Sequence, residues 1–416
     1  MIERIHKSEP ALGVNLVSMK TGVKGVVSLR ASLPAGGRFI RGSSSTATLT
    51  ADMLEQGTRV MSKKEIADLL ESSAINLDIA AGTSWVEISA NLPVQKIETF
   101  VGVLAEMLRA PAFPKGELAL LKARAIASVK DEKQHTRSQA WKELCRTFFA
   151  KEHPMFAARE DEEIEEIERV SAETLSAFHK KYYGLGSFNV CVAGDIGVNS
   201  WHKAVAKKFS GWDESKAVIT PNTTSVVSTF SSRIVKVADK ATADVFLGHP
   251  IIIDVRSRDF QALKLALYIL GGDFVSRLMQ EVREKRGLTY GINATVAGVS
   301  EGDSGLFYMW ATFAPSLLEK GLAATREVFE PFVGGGITAV ELARAKQAMP
   351  GNYLVSLATS GGIATAMLSA LETGRGLSFI DEYPKIIASL TLAEVNTAIK
   401  KYIHPEKLVT VAAGSI

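Results

Sequence analysis

Arg283 and Tyr290, seven positions apart in a chain of 416 residues, carry the groups best suited to chemistry. A guanidinium and a phenol that converge on one point can donate hydrogen bonds to a developing oxyanion. Simpler readings are a core tyrosine and an arginine paired with Glu281 or Glu284, and spacing alone favours these. The histidines offer less. His6, His135, His153, His179, His202, His249 and His404 include no pair three or four residues apart, so no helix face presents two imidazoles to a metal. They read as scattered structural or surface residues, with His153-Pro154 and His249-Pro250 as turn entries. Cys145 and Cys191 are too few for a disulfide framework or a thiolate zinc site. No Gly-Lys-Ser/Thr follows Gly334-Gly335-Gly336, so this is no phosphate loop, and Thr338 with Glu341 behind it reads as a capping box.

The elements that must position the arginine and the tyrosine can be read from their neighbours. Ser276 is suited to cap a helix running to about Lys285. Lys285 and Arg286 fall in its last turn, where cations complement the helix dipole. Gly287 is a left-handed terminator. A strand follows, with Leu288, Tyr290, Ile292 and Ala294 alternating on one face. Arg283 at the helix end and Tyr290 at the strand start are then expected to meet in one crevice. Elsewhere, the acidic run from Glu160 to Glu168 reads as a solvated helix face. Pro350-Gly351 predicts a kink or break in the helix that follows Lys346.

The chain repeats itself. KYYGLGSFNVCVAGDI at 181–196 aligns with KYIHPEKLVTVAAGSI at 401–416 at a constant offset of 220. Before them, Ser171 and Thr391 each open an amphipathic helix with a hydroxyl cap. After the helices come the apolar runs Phe188 to Ala193 and Leu408 to Ala413, which read as buried strands. Glu117-Leu118-Ala119 with Lys122 matches Glu341-Leu342-Ala343 with Lys346 at an offset of 224. An alternating strand precedes each, Trp85 to Leu92 and Leu306 to Phe313. A long helix follows each strand, at about 95–109 and 315–331. Duplication predicts an α+β protein of two like domains, each a mostly antiparallel β-sheet packed with α-helices. The boundaries expected are 1–211 for the first domain and 230–416 for the second. The polar segment 212–229, with Pro221-Asn222-Thr223-Thr224, serves as linker.

Composition narrows the function. Hydrophobic residues make up 46% and charged residues 22%, with a net charge of +3. A chain so near neutrality is not built around nucleic acid or an anionic membrane. No long apolar run predicts membrane insertion. The first residues lack the charged-then-apolar order of a signal peptide. Cytoplasmic placement is the default expectation, with a periplasmic location for a trimmed chain.

The stretch LGGDFVSRLMQEVREKRGLTY at 270–290 resembles the second-domain signature of the pitrilysin, insulysin and mitochondrial-processing-peptidase family of zinc metallopeptidases. The stretch from Gly36-Gly37 to Gly57-Thr58 is similar to the family's first-domain signature. The resemblance extends over essentially the whole chain and includes the duplicated α/β roll.

One departure is central. Catalytic members carry H-x-x-E-H on a first-half helix, where two imidazoles on one face hold zinc and the glutamate is general base. The matching positions here are Thr48, Leu49, Thr50, Ala51 and Asp52. Thr48 and Asp52 share a face, but Thr48 has no imidazole and Ala51 no base. The stretch matching the third ligand, Ala125 to Lys130, has no carboxylate. A catalytic zinc needs three protein ligands and a water, so no metal and no cofactor is expected in this chain.

Arg283 and Tyr290 match the family's arginine–tyrosine pair, which faces the zinc, contacts substrate and stabilises the oxyanion. The resemblance therefore implies a non-catalytic subunit. It would lend Arg283 and Tyr290 in trans to a homologous partner with an intact H-x-x-E-H and a zinc ion, and the two would share a polypeptide substrate. Leu77, Asp78, Ile79, Ala80 and Ala81 match the family's substrate-binding edge strand, where a peptide adds as a further strand. A homodimer is a further expectation when the partner is absent. A structural core subunit without proteolysis, as in respiratory-complex relatives, is the alternative. Independent peptidase activity disagrees with the missing ligands.

Overall fold

The computed structural model describes residues 1–40, 44–226, 228 and 230–416. Arg41 to Ser43 of the first signature, Val227, and Thr229 at the end of the linker lie outside the described residues. In chain order the first elements are β1 (Ile5–Ser8), β2 (Val14–Lys20), β3 (Val26–Leu33), α1 (Ser45–Asp52), α2 (Lys63–Ser72), β4 (Asn76–Ala81) and β5 (Val86–Pro93). Next come α3 (Ile97–Arg109), α4 (Lys115–Glu132), α5 (Thr136–Phe148), α6 (Glu160–Arg169), α7 (Ala172–Tyr182), β6 (Phe188–Gly194) and α8 (Val198–Phe209). The remainder opens with β7 (Ser232–Lys236), β8 (Ala243–Ile251), α9 (Arg258–Gly271), β9 (Thr289–Ala297), β10 (Gly305–Phe313) and α10 (Leu318–Gly335). It closes with α11 (Ala339–Ser356), α12 (Ser360–Glu372), α13 (Phe379–Ser389), α14 (Leu392–Tyr402) and β11 (Val409–Gly414).

Among the described residues the strands form two sheets, ordered β1-β2-β6-β3-β5-β4 and β7-β11-β8-β10-β9. Setting aside β1, the two orders correspond strand for strand. Each contains one parallel pair, β2 with β6 and β7 with β11, and its other neighbours run antiparallel. The fold is α+β, two antiparallel-rich sheets each packed with helices, and the duplication seen in sequence is present in the topology.

The helices end where local chemistry places them. Ser171 accepts from the Thr174 N–H at the start of α7, and Thr391 accepts from the Glu394 N–H at the start of α14. Thr338 and Glu341 exchange the two bonds of a capping box before α11. Each bond satisfies an amide that the helix cannot.

Three local expectations change. The Ser276 hydroxyl is buried without a hydrogen bond and does not cap; its N–H donates to the Asp273 carbonyl, and the segment that follows, Met279–Lys285, is a π-helix. Helix α11 continues without a break through Pro350, whose nitrogen has no hydrogen to donate to the helix. His249 is no turn residue. It lies in the middle of sheet two, fully buried in β8, and accepts the His404 N–H at Nε2.

Packing divides the chain into two compact units that are discontinuous in sequence. One comprises Met1–Ala127, Asp161–Ile219 and Leu354–Asp381; the other comprises Ser128–Glu160, Thr220–Tyr353 and Glu382–Ile416. In the first unit Phe188, Val190 and Val192 of β6 join Phe100 of α3 and Trp201 of α8 in one core. The other face of β6 and β3 is covered by α12, which comes from late in the chain. This double cover explains why every residue of β6 is buried. The second unit is built the same way. Its large core joins sheet two to residues of α9, α10, α11 and α14. On the opposite face, Ala140, Leu144 and Phe148 of α5 pack with Phe246, Leu306 and Val411. The boundaries at 211 and 229 remain a proposal about the sequence repeat; the packing units trade α5 and α12 relative to it.

Candidate functional site

The helix that would hold a metal is α1. Ala51 is fully buried, and Thr48 and Asp52 are half-buried. Helix α1 packs on α7 and on β4, and Ala47 and Ala51 make that approach close. The Thr50 hydroxyl donates to its own helix, to the Thr46 carbonyl. Residues 125–130 of α4 carry no carboxylate. Among the described residues no three His, Cys, Asp or Glu side chains come together as a metal site. Zinc therefore does not fit this donor set: a threonine hydroxyl, a methyl group and one carboxylate replace two imidazoles and a base.

What replaces the metal is acidic. Burial raises the Asp52 carboxyl above its ordinary range. Glu55, one turn on, is raised by burial and then by the charges of Asp78 and Asp52. The Tyr183 hydroxyl is buried without a hydrogen-bond partner among the described residues, and burial, followed by the Asp52 charge, pushes its pKa well up. Sequence reasoning singled out Asp52 and Asp78 for other reasons and missed Glu55 and Tyr183. The i, i+3 spacing of Asp52 and Glu55 was the available signal.

His179 of α7 is a core residue. Its Nε2 lies 2.8 Å from the Leu108 carbonyl, and burial lowers its pKa to about 4.

The edge-strand residues are placed on β4, the last strand of the six-stranded sheet. Leu77 and Ala81 are half-buried, Ile79 is buried, and Asp78 and Ala80 are exposed. One ladder of backbone groups on β4 pairs with β5, from Asn76 with Asn91 to Ala81 with Val86.

Arg283 and Tyr290 belong to the second unit. Arg283 is in the π-helix, a form that is often found at functional sites. Gly287 ends this helix at φ +60°, with its N–H donating to the Arg283 carbonyl, as its sequence position predicts. The Arg283 side chain is one-third exposed. Its Nε is 3.5 Å from Glu284, and its guanidinium lies 5.9 Å from the centre of the Phe274 ring. Glu281 is taken by Lys285.

Tyr290 departs from the predicted alternation. Leu288, Ile292 and Ala294 are buried, whereas Tyr290 is 90% exposed. The cause is a bulge. Phe313 of β10 pairs with Thr289 and Thr312 with Gly291, so Tyr290 has no partner across the ladder. An extra residue in one strand turns its side chain out of the alternating pattern. The Thr289 hydroxyl stabilises the bulge by accepting the Gly291 N–H and donating to the Thr312 carbonyl.

The duplicated α+β chain has neither imidazole nor base at Thr48, Ala51 and Asp52 of α1, and among the described residues no group of side chains is placed to hold a metal. The comparisons agree. A family profile described as "Peptidase M16 inactive domain" matches residues 169–349. The Helicobacter pylori "Non-peptidase homolog YmxG" is 25% identical over 360 residues, covering 86% of this chain and 81% of that protein. The Bacillus subtilis "Probable inactive metalloprotease YmfF" is 21% identical over 277 residues, 64% of this chain and 62% of that one. The crystal structure of a peptidase M16 inactive domain from Pseudomonas fluorescens superposes with a TM-score of 0.90 at 25% identity, covering 99% of this chain and 98% of the other. Together these findings support the peptidase M16 family, of the non-catalytic type.

Proposed function

We propose that this chain is the non-catalytic subunit of a heterodimeric zinc metallopeptidase. It binds polypeptide substrate and supplies Arg283 and Tyr290 to the zinc site of a homologous partner with an intact H-x-x-E-H. The observation that carries this reading is the bulge at Tyr290. A phenol 90% exposed on a strand that buries Thr289 and Ile292 contributes nothing to the core, and it follows Arg283 by seven residues. Displaying a phenol and a guanidinium to solvent suits donation to an oxyanion that forms on another chain. The zinc ion, the general base and the attacking water belong to the partner. Leu77 to Ala81 on β4 offer an edge to which the substrate adds as a strand.

A structural subunit without a proteolytic role is the second reading. The approach of Arg283 to Glu284 favours it, since a paired guanidinium has a surface role already. Peptidase assays on the reconstituted pair separate the two. Arg283→Ala should lower kcat/KM about a hundredfold, the scale for one oxyanion donor. Unchanged turnover would leave the structural reading standing.

A further inference from the structure

Phe274 is a large apolar side chain that is 72% exposed, so burial of its ring is not why it is there. Its backbone, by contrast, is tightly held. The Phe274 N–H donates to Asp273 Oδ1 at 2.6 Å, and Gln280 Nε2 donates to the Phe274 carbonyl at 3.0 Å. Asp273 is itself fixed by the Tyr268 hydroxyl from α9. Arg344 of α11 donates to the Val275 carbonyl at 2.8 Å, and Arg277 grips Glu341 with two bonds of 2.6 and 2.7 Å. The turn is rigid and the ring it presents is not packed away.

The Arg283 guanidinium lies 5.9 Å from the centre of the ring. That guanidinium has a competing partner. Glu284 lies 3.5 Å from Nε and is more than half exposed. An exposed ion pair and an exposed cation–π contact are worth similar small amounts. Neither dominates, and removing one hands the guanidinium to the other. The remaining charges on this segment are committed elsewhere: Lys285 pairs with Glu281 and Arg286 with Glu327.

We propose that Phe274 is a positioning residue for Arg283: its ring holds the guanidinium out of a full ion pair with Glu284 and keeps its N–H groups free to donate. Phe274 touches no reacting atom in this arrangement. The inference rests on the role proposed above for Arg283, and its placement component can be measured without a partner chain.

The test has two arms. In the isolated chain, the Arg283 side-chain Nε–H resonance, identified by its loss in Arg283→Lys, should carry a ring-current shift. Phe274→Ala should abolish that shift and Phe274→Trp should retain one. An unmoved resonance in Phe274→Ala overturns the inference whatever the chain's function. In the reconstituted pair, Phe274→Ala should lower kcat about three- to fivefold with KM unchanged. Adding Glu284→Gln should restore kcat to within about twofold, because the competing charge is gone; a merely structural role for Phe274 gives no such rescue. If Arg283→Ala is costly but Phe274→Ala is not, or if Glu284→Gln fails to rescue, the positioning role is wrong and the subunit reading survives. If neither Arg283→Ala nor Phe274→Ala changes turnover, both fall.

Discussion

The Thr289 hydroxyl donates to the carbonyl of Thr312 on the facing strand, and this bond spans the place where the β9–β10 ladder skips a residue. The skipped residue is Tyr290. A single threonine therefore helps decide whether a phenol faces the core or solvent.

Thr289→Val keeps the shape of the side chain and removes both of its bonds. Two backbone groups then lose partners, and stability should fall by about 1–3 kcal/mol in urea denaturation. Nitration of Tyr290 by tetranitromethane should slow as the ring turns toward the sheet. Thr289→Ser should behave as the parent chain. Equal nitration in the parent and the valine variant would show that the bulge stands without the hydroxyl.

Cys191 reports on the packing of α12. The thiol is buried on β6, and burial, then the Glu372 charge, raises its pKa. A buried, protonated thiol is inert. A fragment of residues 1–219 lacks 354–381 and so lacks the cover on that face of the sheet. Its Cys191 should react with a thiol reagent about a hundredfold faster than in the full chain. A protected thiol in the fragment would mean that the first half folds without α12.

His179 and His249 are held neutral, each with its pKa lowered to about 4 by burial. The unfolded chain binds protons at these sites near pH 6.5 and the folded chain does not. Their contribution to stability is therefore full above about pH 6.5 and is lost as the pH falls toward 4. Between pH 7 and pH 5 each should account for about 2 kcal/mol of lost stability. Urea midpoints of His179→Gln and His249→Gln should be flatter over this range than that of the parent. Parallel slopes would remove these histidines from the acid sensitivity.

Glu341 titrates in a lower window. Burial alone would raise its pKa, but bonds from Arg277 and from Thr338 at the capping box bring it down to about 2. A carboxylate lowered in the folded state stabilises above its unfolded value near 4.5. That stability disappears as the pH falls from there through 2. Arg277→Met should cost about 1–2 kcal/mol at pH 7 and reduce the loss of stability below pH 4.5. A parent-like acid arm in this variant would assign the low pKa to the cap alone.

Much of the architecture was legible because it is written in local pattern. Lys181 with Lys401 and Gly194 with Gly414 revealed the duplication, which reappears as matching strand orders. Ser171, Thr391 and Thr338 marked helix starts, since a cap needs only a hydroxyl three residues before an amide. Gly287 marked a helix end for an equally local reason, the cost of a left-handed backbone to any side chain. The absence of imidazoles at Thr48 and Asp52 could likewise be counted from the sequence.

Other features depend on what lies across space. Tyr290 leaves its expected face because β10 pairs around it, and no pattern within β9 encodes its neighbour's register. His249 is buried in the sheet although a proline follows it. Asp52, Glu55 and Asp78 couple only because α1 packs against β4. Which sheet face α5 and α12 each cover was not written in either segment. The sequence by itself determined the elements, the repeat and the loss of the metal ligands, because these follow from side-chain type and short-range sterics. The tertiary structure decided which side chains are displayed and which are enclosed, because burial and strand pairing are properties of contacts between segments distant along the chain.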